Sequence, residues 1–393
     1  MLLPIHDAFL IGRTPSVDTS TPSQSALCAA PTFQHALAIL NMPRCSRDRI
    51  ANEAVIETVL PTTRKLSLVL RTGTDAHHTT AQLRRYVGDV YSQVWDVTLG
   101  EVELPDVVIY PQNLPNAAPE SWITIQPDLD GVCSLDDTVG WISETASGGR
   151  GSKFRDTNGM GGLEEHVANL NVERAQRGLD PVKPVPVRGQ QTANTAATES
   201  GTVVFVDDDN EAENTSDLNA VSKSFLGGAE PDPQHVYDSV CVGGTFDGLH
   251  FGHRKLLTLA ISSVTPVTGR IYVGVTEDEM LRKKTFSEYI PPCSERMQIV
   301  QSFLNRLAPG MIDRIRVCPI EDAFGPAGQK DEHFDALVLS HETLQNGHML
   351  NEHRTNVLGL KPLKLLCTQR TEAHGMSSTA LRRLRSQKYS MSE

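Results

Sequence analysis

Residues 240–253 read VCVGGTFDGLHFGH: an apolar run, two glycines, Thr-Phe-Asp, and two histidines three apart. Gly243 and Gly244 let a backbone approach a bulky anion and adopt angles that other residues resist. Gly252 does the same where a helix should begin, and the free N–H groups and dipole of such a start favour phosphate. Thr245 offers a hydroxyl donor, and His250 and His253 offer imidazole donors at the helix start. The stretch reads as a phosphate cradle without a lysine-bearing loop. Two histidines at this spacing also suit a metal ion, but no third ligand is spaced to join them.

The elements around this stretch explain how it is held. HVYDSVCV before it reads as a strand, and GHRKLLTLAIS after it as a helix with Leu256, Leu259 and Ala260 on one side. RIYVGVT (270–276), RIRVCPI (314–320), FDALVLS (334–340) and LKLLCTQ (363–369) read as four more strands. Between them fall helices at 294–307, with Met297, Val300, Leu304 and Leu307 on one face and Ser294 as its N-cap, and at 344–357. A last helix starts at SSTALRRLRS. Strands alternating with helices, and apolar along their whole length, predict a Rossmann-like parallel sheet covered on both faces. About 155 residues suffice for one such domain. Ligands of open sheets of this kind bind at the carboxyl ends of the strands, where the quoted stretch sits.

The rest of the chain divides by composition into an N-terminal region, 1–147, and a linker, 148–234, before the domain at 235–393. The first region holds all three tryptophans and the apolar runs KLSLVLR (65–71) and DVVIYPQ (106–112). Leu83, Val87, Val90 and Val94 recur between them at helical spacing, so a smaller α/β module is expected. His77 and His78 read as a polar turn. The linker is rich in Gly, Pro and acid, is expected to be disordered, and carries one short helix near 163–177. GGRGSK at 148–153 lacks the spacing of a phosphate loop.

The net charge of −12 is uneven. Residues 237–393 hold 19 Lys and Arg against 17 Asp and Glu, and residues 1–236 hold 17 against 31. The last domain can therefore hold an anionic ligand without a strongly repelling field, yet no basic patch suits a nucleic-acid polymer. Seven scattered cysteines with no C-x-x-C pair argue for reduced thiols in a cytoplasmic protein, without disulfide framework or zinc site. No apolar run is long enough for a membrane span, and the first residues are too broken for a secretory signal.

GGTFDGLHFGH resembles the first signature of the H-x-G-H nucleotidyltransferase superfamily, and GMSSTALRR (375–383) resembles its second, I-S-S-T-x-[IL]-[RK]. The two lie about 125 residues apart, each at a strand-to-helix junction. VGVTEDEMLRKKTFSEYIPPCSERMQIVQSFL, IEDAFGPAG and LVLSHETLQNGHMLNEHR are similar to the eukaryotic and archaeal type of phosphopantetheine adenylyltransferase. Ser340, Glu342, Thr343, Gly347, Asn351 and Arg354 fit that family's block after the fourth strand. The resemblance covers roughly residues 237–386.

It implies an enzyme of coenzyme A synthesis that joins ATP and 4′-phosphopantetheine into dephospho-coenzyme A and pyrophosphate. Catalytic roles fall to His253 and Lys284. Substrate binding falls to Gly244, Thr245, Phe246, His250, Arg354, Ser377, Ser378, Thr379 and Arg382. Thr245 and Lys284 would hold the acceptor phosphate, although Arg282 and Lys283 adjoin Lys284 and the loop could offer any of the three. His250 and His253 would bind ATP phosphates; Ser377, Ser378, Thr379 and Arg382 would hold the β- and γ-phosphates. Arg354 reads equally as a phosphate clamp or a helix-surface charge. Mg²⁺ would be held through the ATP phosphates. Some relatives fuse a dephospho-coenzyme A kinase behind this domain; no Walker loop occurs here, so the chain should stop at dephospho-coenzyme A.

A CTP-dependent cytidylyltransferase acting on phosphocholine, phosphoethanolamine or glycerol phosphate is the competing enzyme, because RTEAHGMSST approaches its R-T-x-G-I-S-[ST]-T motif. GPAGQ and the SHETLQNGHMLNEHR block stand against it. A non-catalytic scaffold is the competing reading from another class. The N-terminal region is a possible docking module for a protein partner.

Overall fold

The computed structural model describes residues 32–43, 46–71, 80–98, 105–134, 161–187, 236–368 and 378–390. Ser377, the His77–His78 pair and most of the 148–234 stretch lie outside the described residues. Two five-stranded sheets make up the fold, and every strand pair in both is parallel. The α/β Rossmann-like class expected from the sequence thus holds for both halves of the chain.

The first sheet has β1 (Phe33–Asn41) at its centre, β2 (Thr63–Arg71) and β3 (Asp106–Pro111) on one side, and β4 (Gly131–Ser134) and β5 (Lys183–Pro186) on the other. Helices α1 (Ser46–Val59) and α2 (Thr80–Val97) link the first three strands; the one-turn α3 (Glu120–Ile123) precedes β4, and α4 (Gly161–Gln176) follows it. Alternate residues of β1 serve opposite cores: Leu37 and Ile39 pack with Leu163 and Val167 of α4, whereas Ala36, Ala38 and Leu40 pack with residues of α1 and α2. The helical spacing of Leu83, Val87, Val90 and Val94 becomes the buried face of α2.

Residues 161–187 are part of this sheet, although composition assigned them to the linker. The short helix expected near 163–177 is α4, and β5 follows it. Pro184 and Pro186 lack N–H donors, which only an edge strand tolerates, and β5 is an edge strand, paired with β4 alone. The fully buried Arg174 locks α4 in place by donating to the carbonyls of Thr124, Gln126, Leu129 and Asp180.

The second sheet repeats the order of the first. Its first strand, β6 (Ser239–Gly244), is central; β7 (Arg270–Thr276) and β8 (Ile315–Ile320) lie on one side, β9 (Ala336–Ser340) and β10 (Lys364–Thr368) on the other. Helix α5 (Phe251–Ser262) follows β6, the one-turn α6 (Asp278–Leu281) and α7 (Cys293–Leu307) follow β7, α8 (Leu344–His353) follows β9, and α9 (Ser378–Ser390) comes last. Pro292, not Ser294, is the N-cap of α7, and no side chain caps that end. The switch in strand order falls between β6 and β9, so the carboxyl end of β6 opens where such sheets bind ligands.

The family block after β9 is largely a folding device. Ser340 and Thr343 share a hydroxyl hydrogen bond of 3.1 Å at the turn into α8. A Cβ on Gly347 would come within 2.4 Å of the Leu339 side chain, so glycine alone lets α8 lie so close to β9. Asn351 closes a two-way bond with Leu363, at 2.9 and 2.7 Å, setting the start of β10.

The two units share a continuous core. Asn116 donates to the carbonyls of Ile261 and Val264, Ala118 N donates to Leu307 O, and Arg84 of α2 donates to Ser262 and Ser263 at the end of α5. Among the described residues, no helix is long and apolar enough to cross a membrane.

Candidate active site

The quoted stretch forms a tight turn between β6 and α5. Phe246, Gly248 and Leu249 all have positive φ, at 52°, 67° and 37°. Two of these three are not glycine, so the turn is strained and must be held from outside. The hold comes from Asp247, which is buried and accepts from Arg382 at 2.7 Å and from Arg385 at 3.1 Å, both on α9. The second signature thus fastens the first.

The turn delivers His250 as the N-cap of α5 and His253 in its first turn. The two imidazoles stack with ring centres 3.7 Å apart. His250 Nε2 lies 3.1 Å from Ser378 Oγ at the start of α9, so the two signatures meet at one place. The Nδ1 atoms of both histidines are buried and have no hydrogen-bond partner among the described residues. Phe246 is fully buried with its ring 5.3 Å from that of His253, so it supports the imidazole from beneath. A direct contact between Phe246 and substrate, as expected from the sequence, does not fit that burial.

Cations converge on the other side of the turn. Lys284 Nζ donates to Thr245 Oγ1 at 2.8 Å, which singles it out from its neighbours; Arg282 pairs instead with Glu279. Arg296 of α7 is fully buried, donating to Thr245 O at 2.7 Å, Pro291 O at 2.8 Å and Asp278 at 2.6 Å. Sequence reading did not mark Arg296, because its signal is only an arginine on a helix face that otherwise reads as core. Arg382 donates to Asp247, Thr285 O and the exposed Thr379, so its guanidinium is engaged within the protein on every nitrogen. Its placement makes it a clasp beside the cradle as well as a positive charge.

Arg354 lies elsewhere. It is buried at the end of α8 and donates to Ala327 O and Lys361 O at 2.6 and 3.1 Å. It pins the turn Gly325–Gly328 to the helix and is neither a helix-surface charge nor joined by any described contact to the histidines.

Electrostatics favour an anion. Burial, with the charges of Arg254 and Arg385, pushes the His250 pKa down to about 3. Burial also pushes His253 well below its ordinary value, helped by His250, Lys284 and Arg254. Burial and the neighbouring Arg382 and Arg296 lower Lys284, against the pull of Asp247. The site strains to carry its positive charge, and a phosphate would relieve that strain.

A stability consequence follows. The unfolded chain takes up protons at its histidines below about pH 6.5. Folded His250 does so only near 3, so stability is full above 6.5 and falls as pH drops through that window. His250→Gln should flatten the dependence of Tm on pH between about 6.5 and 4; an unchanged slope would remove His250 as its source.

A family model described as cytidylyltransferase-like matches residues 241–384. A phosphopantetheine adenylyltransferase of Methanopyrus kandleri is 35% identical over 134 residues, 34% of this chain and 80% of its own. That of Pyrococcus furiosus is 36% identical over 33% of this chain and 76% of its own. That of Saccharomyces cerevisiae is 32% identical over 39% of this chain, which spans only half of the yeast protein. The fold is that of a nucleotidyltransferase. Through its second unit, the chain belongs to the phosphopantetheine adenylyltransferase family.

Proposed function

We propose that the second unit transfers the adenylyl group of ATP to 4′-phosphopantetheine. The observation that carries this reading is the meeting of His250, His253 and Ser378 at one helix tip, flanked by Lys284 on Thr245. An oxygen of the acceptor phosphate attacks the α-phosphorus of ATP. The bond from that phosphorus to the bridging oxygen breaks, and pyrophosphate leaves. The nucleophile is already anionic at neutral pH, so no general base is required. Catalysis is then positioning plus stabilisation of charge on the leaving group.

Thr245 and Lys284 hold and orient the acceptor phosphate. His250, His253 and the tip of α9, with Ser377, Ser378 and Thr379, take the nucleotide phosphates; Arg382 fixes that tip. His253, in the first turn of α5 and only partly exposed, donates to the oxygen on which charge develops. Mg²⁺ would arrive on the phosphates of ATP and offset their charge. The surrounding donors are imidazole, ammonium, guanidinium and hydroxyl groups, and among the described residues no three His, Cys, Asp or Glu side chains gather as metal ligands. That donor set fits a metal carried by the nucleotide.

The test supplies the full chain with Mg²⁺, 4′-phosphopantetheine and either ATP or CTP, and follows pyrophosphate. Release with ATP and little with CTP is expected. Release with CTP and phosphocholine would select the cytidylyltransferase instead, and no release with any pair would select the scaffold.

A further inference from the structure

The histidine turn has a second side, and it faces the first unit. Between His250 and His253 the chain places Phe251, which is fully buried. Its ring stacks on Tyr91 of α2 at 5.9 Å and meets the edge of Trp95 at 6.3 Å. The residue after His253 is Arg254, also buried. Arg254 Nε donates to the carbonyl of Leu249, inside the strained turn, at 3.0 Å. Its Nη1 donates to Val107 O at 2.6 Å and to Asp106 Oδ1 at 3.1 Å, at the start of β3. Arg306 of α7 holds the other oxygen of Asp106. The His250 imidazole turns toward Ser378, while Phe251 packs on α2 and Arg254 reaches β3 of the first unit.

We propose that the first α/β unit is part of the catalytic centre, with Asp106 as a positioning residue that sets the histidine turn through Arg254 and Leu249. This rests on the adenylyl-transfer reading above. The first unit lies outside the match to the family model. Beside the hold that Asp247 gives, it supplies through Arg254 a second restraint on the turn at Leu249, where φ is positive. Whatever shifts β3 shifts Leu249 and with it His250.

The test uses the full chain in three variants. Asp106→Ala removes the acceptor, Asp106→Glu keeps it, and Arg84→Ala loosens the same interface at the far end of α5, roughly 16 Å away along a 12-residue helix. Turnover, thermal unfolding and ¹⁵N spectra of the histidine side chains are recorded for each. Asp106→Ala should lower kcat about tenfold, with KM for ATP changed by no more than about twofold, because alignment and not contact is lost. It should also move the ¹⁵N resonances of His250 and His253, and Asp106→Glu should recover most of both effects. Arg84→Ala should lower Tm and change neither. If Asp106→Ala does not fold, Asp106→Leu, which fills the same space without an acceptor, carries the same comparison. The proposal is overturned if Asp106 variants lose only thermal stability, or if Arg84→Ala lowers kcat equally. A wild-type chain that releases no pyrophosphate defeats the adenylyl-transfer reading alone, since the imidazole spectra still test the positioning.

Discussion

His253→Ala is expected to lower kcat by about a thousandfold, the upper end of what loss of one donor to a developing oxyanion costs. The imidazole is packed over Phe246 and against His250, so its donor is aimed before substrate arrives. Its pKa is held low by burial and by neighbouring cations, so the resting ring is neutral. Charge growing on the departing pyrophosphate then meets a fixed N–H donor that no solvent has to reorient. The fold should survive, because the residue as a whole is only partly buried and its Nδ1 has no hydrogen-bond partner to lose among the described residues. Steady-state kinetics with ATP and 4′-phosphopantetheine, beside far-ultraviolet circular dichroism, make the check. A kcat within about threefold of wild type would strip His253 of its role.

Asp247→Ala should be the most damaging change to stability. The carboxylate is 1% exposed and joins two arginines of α9, of which Arg382 is 3% exposed. Removing it leaves a buried guanidinium without its counter-ion, which costs about 3–5 kcal/mol. The strained turn also loses the group that fixes it, so α9 and the histidines separate. Tm should fall by roughly 10 °C, at a few degrees per kcal/mol for a chain of this size. Asp247→Asn keeps an acceptor and should do less harm. A Tm within about 2 °C of wild type for Asp247→Ala would mean that the turn is held by something else.

The sequence made the frame of this site plain and hid its bracing. RIYVGVT was legible residue for residue as β7, because a strand buried on both faces is apolar throughout. The two signatures were legible as partners, and His250 does meet Ser378. Three kinds of residue were not. Arg382 reads as a phosphate ligand, and a lone arginine beside Ser-Ser-Thr does not disclose that it also faces a buried aspartate. Arg354 was read through the family block, where a buried clamp and a ligand look the same on paper. Phe251 and Arg254 carry no signal in the sequence, because their partners Tyr91, Trp95, Val107 and Asp106 lie some 150 residues earlier. Non-local contacts leave no periodic trace. Composition also failed at 161–187, where Lys-Pro-Val-Pro resembles linker but suits an edge strand.

The central claim is that the phosphate of 4′-phosphopantetheine displaces pyrophosphate at the α-phosphorus of a nucleotide held between the β6 turn and the tip of α9. The most direct measurement follows label from ATP carrying ³²P at the α or the γ position, with 4′-phosphopantetheine and Mg²⁺. The account predicts α label in the nucleotide–pantetheine product and γ label in free pyrophosphate. Label from the γ position on the pantetheine product, or α label left wholly in unreacted ATP, would contradict it.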